Sequence, residues 1–337
     1  MAGIVHGGAL TAAIANYGGR PEDWLDLSTG INPNMPELPA IPAQVWNRLP
    51  DQGLVTAARQ AARDWYLGAD AGKGEALPLP VPGTQAFIQL LPRLVPQERP
   101  VAILSPTYGE YAHRFRKAGI TVDEISTLDA VRPEHGTLVV INPNNPDGRS
   151  FGRDQLLALY VRMQAQGGHL HVDEAFGDAR PELSVAAEAS RLPGLTVSRS
   201  FGKFFGLAGI RLGFVFARPE LLGTMEAELG PWSVSGPALW IANELMRRER
   251  GPILERMRER KAALDAVLVG AGLAIAGGTE LFALVRHAEA QRLFEHLAQA
   301  HILVRKFDYR PDWLRIGLAA NGEGDRRLSE ALAAFRQ

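Results

Sequence analysis

Between residues 101 and 216, short apolar runs alternate with stretches of helical spacing. Residues 101–104, 120–125, 137–141, 169–172, 195–198 and 211–216 read as strands, and 108–118 and 153–166 as helices. Runs such as Val101-Ala102-Ile103-Leu104 are apolar throughout, as strands buried on both faces are. Strands that alternate with helices predict an α/β fold with a mostly parallel sheet covered on both sides. Ligands in such sheets sit beyond the carboxyl ends of strands. Asn142, Asp173 and Ser200 fall at or just after those ends.

The rest of the chain is punctuated differently. Residues 30–50 hold Pro33, Pro36, Pro39, Pro42 and Pro50, so they are expected to be irregular or extended. Residues 68–82 read as a second loop, and 200–206 as a third. Residues 239–268 are helical in pattern, followed by a few short strands and a helix over 328–335. This predicts three parts: an N-terminal arm contributing to a small domain (1–45), a large domain (46–230) and a small α+β domain (231–337).

Composition removes several function classes. The 337 residues carry 36 basic and 37 acidic side chains, a net charge of −1, so neither nucleic acid nor a membrane surface is the expected partner. The mixed charges after Met246 read as a solvated helix face. No cysteine is present, which excludes disulfides, thiolate metal sites and cysteine nucleophiles. Residues 1–19 predict no secretory signal, and no run reaches the roughly 18 apolar residues of a membrane span. A cytoplasmic protein is expected. His169 and His171 share a strand face, but no further metal ligand is evident nearby, so no metal is predicted. No phosphate-binding loop of the Gly-x-x-x-x-Gly-Lys-Ser/Thr type occurs.

Four segments carry the chemistry. They are Gly83-Thr84-Gln85, Asn142-Pro143-Asn144-Asn145-Pro146, Asp173-Glu174-Ala175-Phe176 and Ser200-Phe201-Gly202-Lys203, the last joined by Arg211 eight residues on. Each alone has a plainer reading as a turn, a cap or a solvated lysine. In this order, at the ends of successive strands, they resemble the fold-type I pyridoxal 5'-phosphate enzymes, and more narrowly the class I and II aminotransferases. The resemblance extends from about His6 to Gly324. It implies the aspartate-aminotransferase-like fold, pyridoxal 5'-phosphate as cofactor, and a homodimer.

Residue by residue, the resemblance makes Lys203 the amine that holds the cofactor aldehyde as a Schiff base and later serves as acid or base. Asp173 matches the carboxylate that keeps the ring nitrogen protonated. Asn145 matches the donor to the ring's phenolic oxygen, and Tyr108 the aromatic side chain on the ring face. Ser200 and Arg211 match phosphate ligands, and Gly83-Thr84-Gln85 opens a helix whose N-terminus suits a dianion. Arg315, in Trp313-Leu314-Arg315-Ile316-Gly317, matches the fork that binds the substrate carboxylate. An arginine at the position of Arg305 is shared with subfamilies whose substrates carry a phosphate.

The N-terminus narrows the resemblance. His6-Gly7-Gly8, followed by Leu25-Asp26-Leu27-Ser28-Thr29-Gly30-Ile31-Asn32-Pro33, is similar to a branch of the family that decarboxylates a phosphorylated amino acid, L-threonine O-3-phosphate, for cobalamin biosynthesis. In that branch His6, Gly7, Gly8 and Asn32 would belong to the substrate site. Phe176 agrees, because many aminotransferases carry there a tyrosine bonded to the ring oxygen. Two departures stand out: Arg48-Leu49-Pro50 lacks the tyrosine that reaches the partner subunit's cofactor, and Pro146-Asp147-Gly148 replaces proline-threonine-glycine. Decarboxylation and transamination of a phosphorylated amino substrate both remain open on these residues. A non-enzymatic cofactor-binding module predicts a damaged site, and Lys203, Asp173, Asn145 and Arg211 are intact.

Overall fold

The structure, a computed structural model, describes residues 7–68 and 76–335. Its strands are β1 (Leu25–Asp26), β2 (Leu79–Val81), β3 (Val101–Leu104), β4 (Val122–Ile125), β5 (Thr137–Ile141), β6 (His169–Asp173), β7 (Leu195–Ser200), β8 (Gly213–Phe216), β9 (Ala274–Thr279), β10 (Phe282–Arg286), β11 (Ile302–Leu303), β12 (Arg305–Lys306) and β13 (Trp313–Gly317). The chain divides into two compact units. The large unit comprises Pro36–Asn145 and Ser150–Arg250. The small unit takes the chain up to Met35, the short insert Pro146–Arg149 and everything from Gly251.

The large unit is built on a seven-stranded sheet in the order β2-β8-β7-β6-β5-β3-β4. The strands from β7 across to β4 are parallel, while β8 runs antiparallel to both its neighbours. β3 and β5 are buried at every position, as the unbroken apolar runs require. Phe87, Tyr111 and Phe115, from the helices Thr84–Leu90 and Glu110–Lys117, pack on them in one core cluster.

Three local differences from the sequence reading have physical causes. Residues 79–81, placed in a loop, form β2; Pro80 is tolerated because β2 lies at the sheet edge. Residues 201–204, read as loop, form a single helical turn. Phe201 and Phe205 stack there at 4.4 Å, and Phe204 meets Phe205 edge-on at 5.4 Å. Arg211, expected to open a strand, is instead left-handed (φ 56°), so β8 begins at Gly213.

The unit boundaries fall at 35/36 and 250/251, against 45/46 and 230/231 in the sequence reading. The reason is the helix Gly236–Leu245, which packs on Gln52–Leu67 inside the large unit. The stretch read as one helical region is two helices, Gly236–Leu245 and Gly251–Gly270.

The small unit contains the antiparallel sheet β12-β13-β10-β9 and the parallel pair β1-β11. The amphipathic helix Ala290–Gln299 buries Leu293, Phe294 and Leu297. Among the described residues no helix is long and apolar enough to cross a membrane.

Candidate active site

In the large unit, register brings the polar strand ends together. Ile141 pairs with Asp173, and Asp173 with Ser198. The Asn142 amide donates to the Asp173 carbonyl (2.8 Å), and the Glu174 amide to that of Ser198 (2.9 Å). Beyond β5, the Asn142 side chain closes the loop by accepting from the Phe151 amide (2.8 Å) and donating to its carbonyl (3.1 Å). The Asn144 carboxamide accepts from Thr107 Oγ1 (2.5 Å) and donates to the Pro106 carbonyl (3.0 Å). Asn145 and Tyr108 therefore sit on loops that are tied to each other.

Asp173 is 4% exposed. Its Oδ2 accepts from the Tyr111 hydroxyl (2.8 Å), and its Oδ1 from the Ala175 amide (2.9 Å). Burial pushes its carboxyl up, while these two donors and the charge of Lys203 pull it back. Behind it, Tyr111 Oη lies 2.9 Å from His171 Nε2, and His171 Nδ1 lies 2.9 Å from Thr196 Oγ1. Burial holds the His171 imidazole at about 3, so it is neutral. The Tyr111 proton is directed at Asp173, and Ser198 Oγ lies 3.4 Å from His171 Nε2, so the neutral imidazole has hydroxyl partners at both ring nitrogens.

The adjacent Glu174 has a different task. It accepts from Ser184 Oγ (2.6 Å), the Val185 amide (2.9 Å) and buried Arg199 (2.5 Å), which fixes the end of β6.

Ser200 ends β7, and Lys203 follows in the helical turn with Nζ 5.8 Å from the Phe176 ring centroid. Arg211 lies against Gly83, where a Cβ would come within 2.7 Å of a guanidinium nitrogen. Gly83 also has φ 75°, so both space and backbone demand glycine. Thr84 begins the helix at this point. The Gln85 side chain accepts from the Tyr108 hydroxyl (3.2 Å) and donates to Glu110 (2.6 Å), so it orients Tyr108. This set fits pyridoxal 5'-phosphate. A buried carboxylate stands in the field of an amine, and the Arg211 guanidinium lies where any side chain at position 83 would meet it.

The remaining candidates lie in the small unit, except that His6 falls outside the described residues. Arg305 and Arg315 are directly paired across β12 and β13. Arg315 is buried, with its guanidinium carbon 5.0 Å from the Phe282 ring centroid and a terminal nitrogen donating to the Ser28 carbonyl (2.8 Å). Burial first, and then the charge of Arg305, push Arg315 down to about 10, so it stays protonated near neutrality. Gly7 and Gly8 lie beside Ser28, whose Oγ accepts from the Gly8 amide (2.7 Å). Asn32 is buried, and its Oδ1 accepts from the Asn34 amide (3.0 Å).

Three residues absent from the sequence-based set belong beside it. Tyr111 stands three positions after Tyr108, and His171 two before Asp173 on the same strand face; those spacings were the available signals. Ser28 lay inside a motif that was recognised, but nothing in the sequence placed it against Arg315.

A family model described as aminotransferase class I and II matches residues 22–334. A threonine-phosphate decarboxylase from Sinorhizobium sp is 57% identical over 330 residues, covering 98% of each chain. Another of that name, from Pseudomonas aeruginosa, is 44% identical over 341 residues, covering 99% of this chain and 98% of the other. The crystal structure of histidinol-phosphate aminotransferase from Sinorhizobium meliloti, in complex with pyridoxal-5'-phosphate, shares the fold. Its TM-score is 0.77 at 17% identity, covering 99% of this chain and 96% of that one.

Proposed function

We propose, since the chain belongs to the aminotransferase class I and II family, that it is a pyridoxal 5'-phosphate-dependent decarboxylase. It converts L-threonine O-3-phosphate to (R)-1-amino-2-propanol O-2-phosphate and CO2, a step of cobalamin biosynthesis. The observation that carries this reading is the 57% identity, over nearly the whole chain, to a threonine-phosphate decarboxylase. Phe176 supports it, since the position that often holds a tyrosine hydroxyl in aminotransferases here presents an apolar ring beside Lys203.

Lys203 would hold the cofactor's aldehyde, Asp173 its ring nitrogen, Asn145 its phenolic oxygen, and Tyr108 one ring face. Ser200, Arg211 and the start of the helix at Gly83-Thr84-Gln85 would hold its phosphate. When bound, the cofactor supplies a protonated ring that takes up the electron pair released as a bond at the substrate α-carbon breaks. Asp173, held by Tyr111 and Ala175, keeps the proton on the ring nitrogen. Arg315 takes the substrate carboxylate, and Arg305 with His6 takes the phosphate. Which bond breaks depends on how this clamp turns the substrate. Lys203 then delivers a proton to the α-carbon in place of the lost carboxylate.

A homodimer is the expected assembly. Trp46, Leu49 and Trp232 are 65%, 64% and 59% exposed. Trp46 and Leu49 lie in or just after the short helix Ala43–Asn47, which packs on the helix Gly236–Leu245, and Trp232 lies four residues before that second helix. Single scattered apolar residues are ordinary, but large side chains grouped on neighbouring segments favour a protein interface. The cytoplasm is the expected compartment.

The test is purified protein with pyridoxal 5'-phosphate and L-threonine O-3-phosphate, without a keto acid, followed for CO2 and aminopropanol phosphate. Product that disappears in Lys203→Ala supports the reading. No product, but turnover of histidinol phosphate once 2-oxoglutarate is added, would overturn it.

A further inference from the structure

We propose that Ser28 is a positioning residue that locks the Arg315 guanidinium and the Gly7-Gly8 backbone into one anion-binding unit; this rests on the reading of Arg315 as the carboxylate ligand. Ser28 is 2% exposed and touches both partners through different atoms. Its position follows from the chain: Asp26 and Ser28 are two residues apart where β1 ends. The Asp26 carboxylate accepts from the Ser28 hydroxyl (2.6 Å) and from the Ser28 amide (2.9 Å).

With its proton committed to Asp26, the hydroxyl oxygen presents lone pairs elsewhere, and the Gly8 amide donates to it at 2.7 Å. A bond to a hydroxyl oxygen whose proton is held by a carboxylate is a stronger anchor than one to an unpolarised hydroxyl. The Ser28 carbonyl meanwhile accepts from Arg315 at 2.8 Å. Gly7 is pressed onto the same carbonyl. A Cβ at position 7 would stand 2.5 Å from the carbonyl oxygen and 3.7 Å from the Arg315 terminal nitrogen. Gly8, at φ 78°, needs the left-handed backbone that only glycine adopts cheaply.

The His-Gly-Gly signature thus has a mechanical reason that its composition does not disclose. One glycine permits contact with the carbonyl that holds Arg315, and the next turns the chain so that its amide reaches the hydroxyl. A carboxylate is gripped by a guanidinium fork only in a narrow range of planes, and Ser28 with Phe282 sets that plane. Ser28 itself need not touch substrate.

The experiment uses the full chain as Ser28→Ala, with Ser28→Thr as the conservative variant that keeps a hydroxyl. Ser28→Ala keeps the carbonyl that Arg315 donates to but removes the hydroxyl that holds Gly8 against it. In the cofactor-loaded enzyme it is expected to raise KM for L-threonine O-3-phosphate about tenfold, the worth of the lost hydroxyl–carboxylate hydrogen bond to Asp26. The change in kcat should be far smaller, and Ser28→Thr should recover most of the loss. In the cofactor-free protein, amide exchange of the Gly8 region should accelerate. An unchanged KM, or a parallel fall in KM-normalised rate, kcat and thermal midpoint that Ser28→Thr does not recover, would overturn the proposal. If the wild type itself fails to decarboxylate, the proposed activity falls separately. Ser28 is then judged by the exchange rate and by the Kd of L-threonine O-3-phosphate, read from cofactor absorbance.

Discussion

Asp173 and Arg315 are both buried, at 4% and 6% exposure, and each carries the charge that its proposed partner needs. Their surroundings differ. Asp173 receives two hydrogen bonds from neutral donors, stands in the field of Lys203, and is backed by a histidine that burial keeps uncharged. Arg315 faces a second arginine across a strand pair, and that neighbour pushes it further down. The large unit therefore offers a carboxylate whose orientation is settled before any cofactor arrives. The small unit sets like charges side by side, and an anion bound there would relieve their repulsion as well as pair with each. On the proposed roles, preorganisation would serve the group that stays, and relief of repulsion the group that comes and goes.

The comparison breaks if either residue behaves like the other. Asp173→Asn should lower kcat by roughly 10²–10³-fold, the usual cost of removing a preorganised electrostatic partner, with a much smaller change in KM. A KM effect dominating in that variant would show that Asp173 is not a cofactor-side group. Arg305→Ala should instead raise KM for L-threonine O-3-phosphate by about 10- to 100-fold, the worth of a hydrogen bond to a charged group. It should leave the rate measured on unphosphorylated L-threonine unchanged; equal losses on both substrates would remove Arg305 from phosphate recognition.

The smallest effect sharpens the large-unit side. His171 has a folded-state value of about 3 against about 6.5 when unfolded. Above pH 6.5 both states are neutral and the residue causes no pH dependence. As pH falls from 6.5 toward 3, the unfolded chain binds a proton that the native state refuses, so stability is lost with falling pH. The slope from this group cannot exceed about 1.4 kcal/mol per pH unit. Urea midpoints measured between pH 7.5 and 5 should fall less steeply for His171→Gln than for the wild type. Identical slopes would mean that His171 is charged in the native protein.

Much of this architecture could be read from residues alone, and what escaped did so for definable reasons. The strands at 101–104 and 137–141 announced themselves because burial on both faces leaves an unbroken apolar run. β2 did not, since three residues containing a proline have no period to detect. Lys203, Asp173, Asn145 and Arg211 stand out in the sequence because each chemistry proposed for them tolerates few residue types and their order along the chain is distinctive. Tyr111 and Thr196 were not, because a tyrosine on a helix and a threonine on a neighbouring strand become partners of His171 only once the sheet is formed. The turn at Phe201–Phe204 was hidden by Gly202, whose presence suggested a loop while the three surrounding phenylalanines were closing a core.

The small unit is assembled from three separated stretches of chain, whereas the large one is continuous apart from the excursion at Pro146–Arg149. On the ribosome this imposes an order of events. β1 finds its only described strand partner in β11, with Leu25 opposite Ile302. At roughly 5–20 residues per second, the early segment waits on the order of tens of seconds for that partner to be synthesised. The sheet that carries the proposed cofactor residues is complete by Phe216, long before Arg315 emerges. On the proposed roles, a nascent chain would reach competence to hold its cofactor before it has the means to select a substrate. Ribosome stalling after about residue 250 should yield a product that takes up pyridoxal phosphate without discriminating among amino acids.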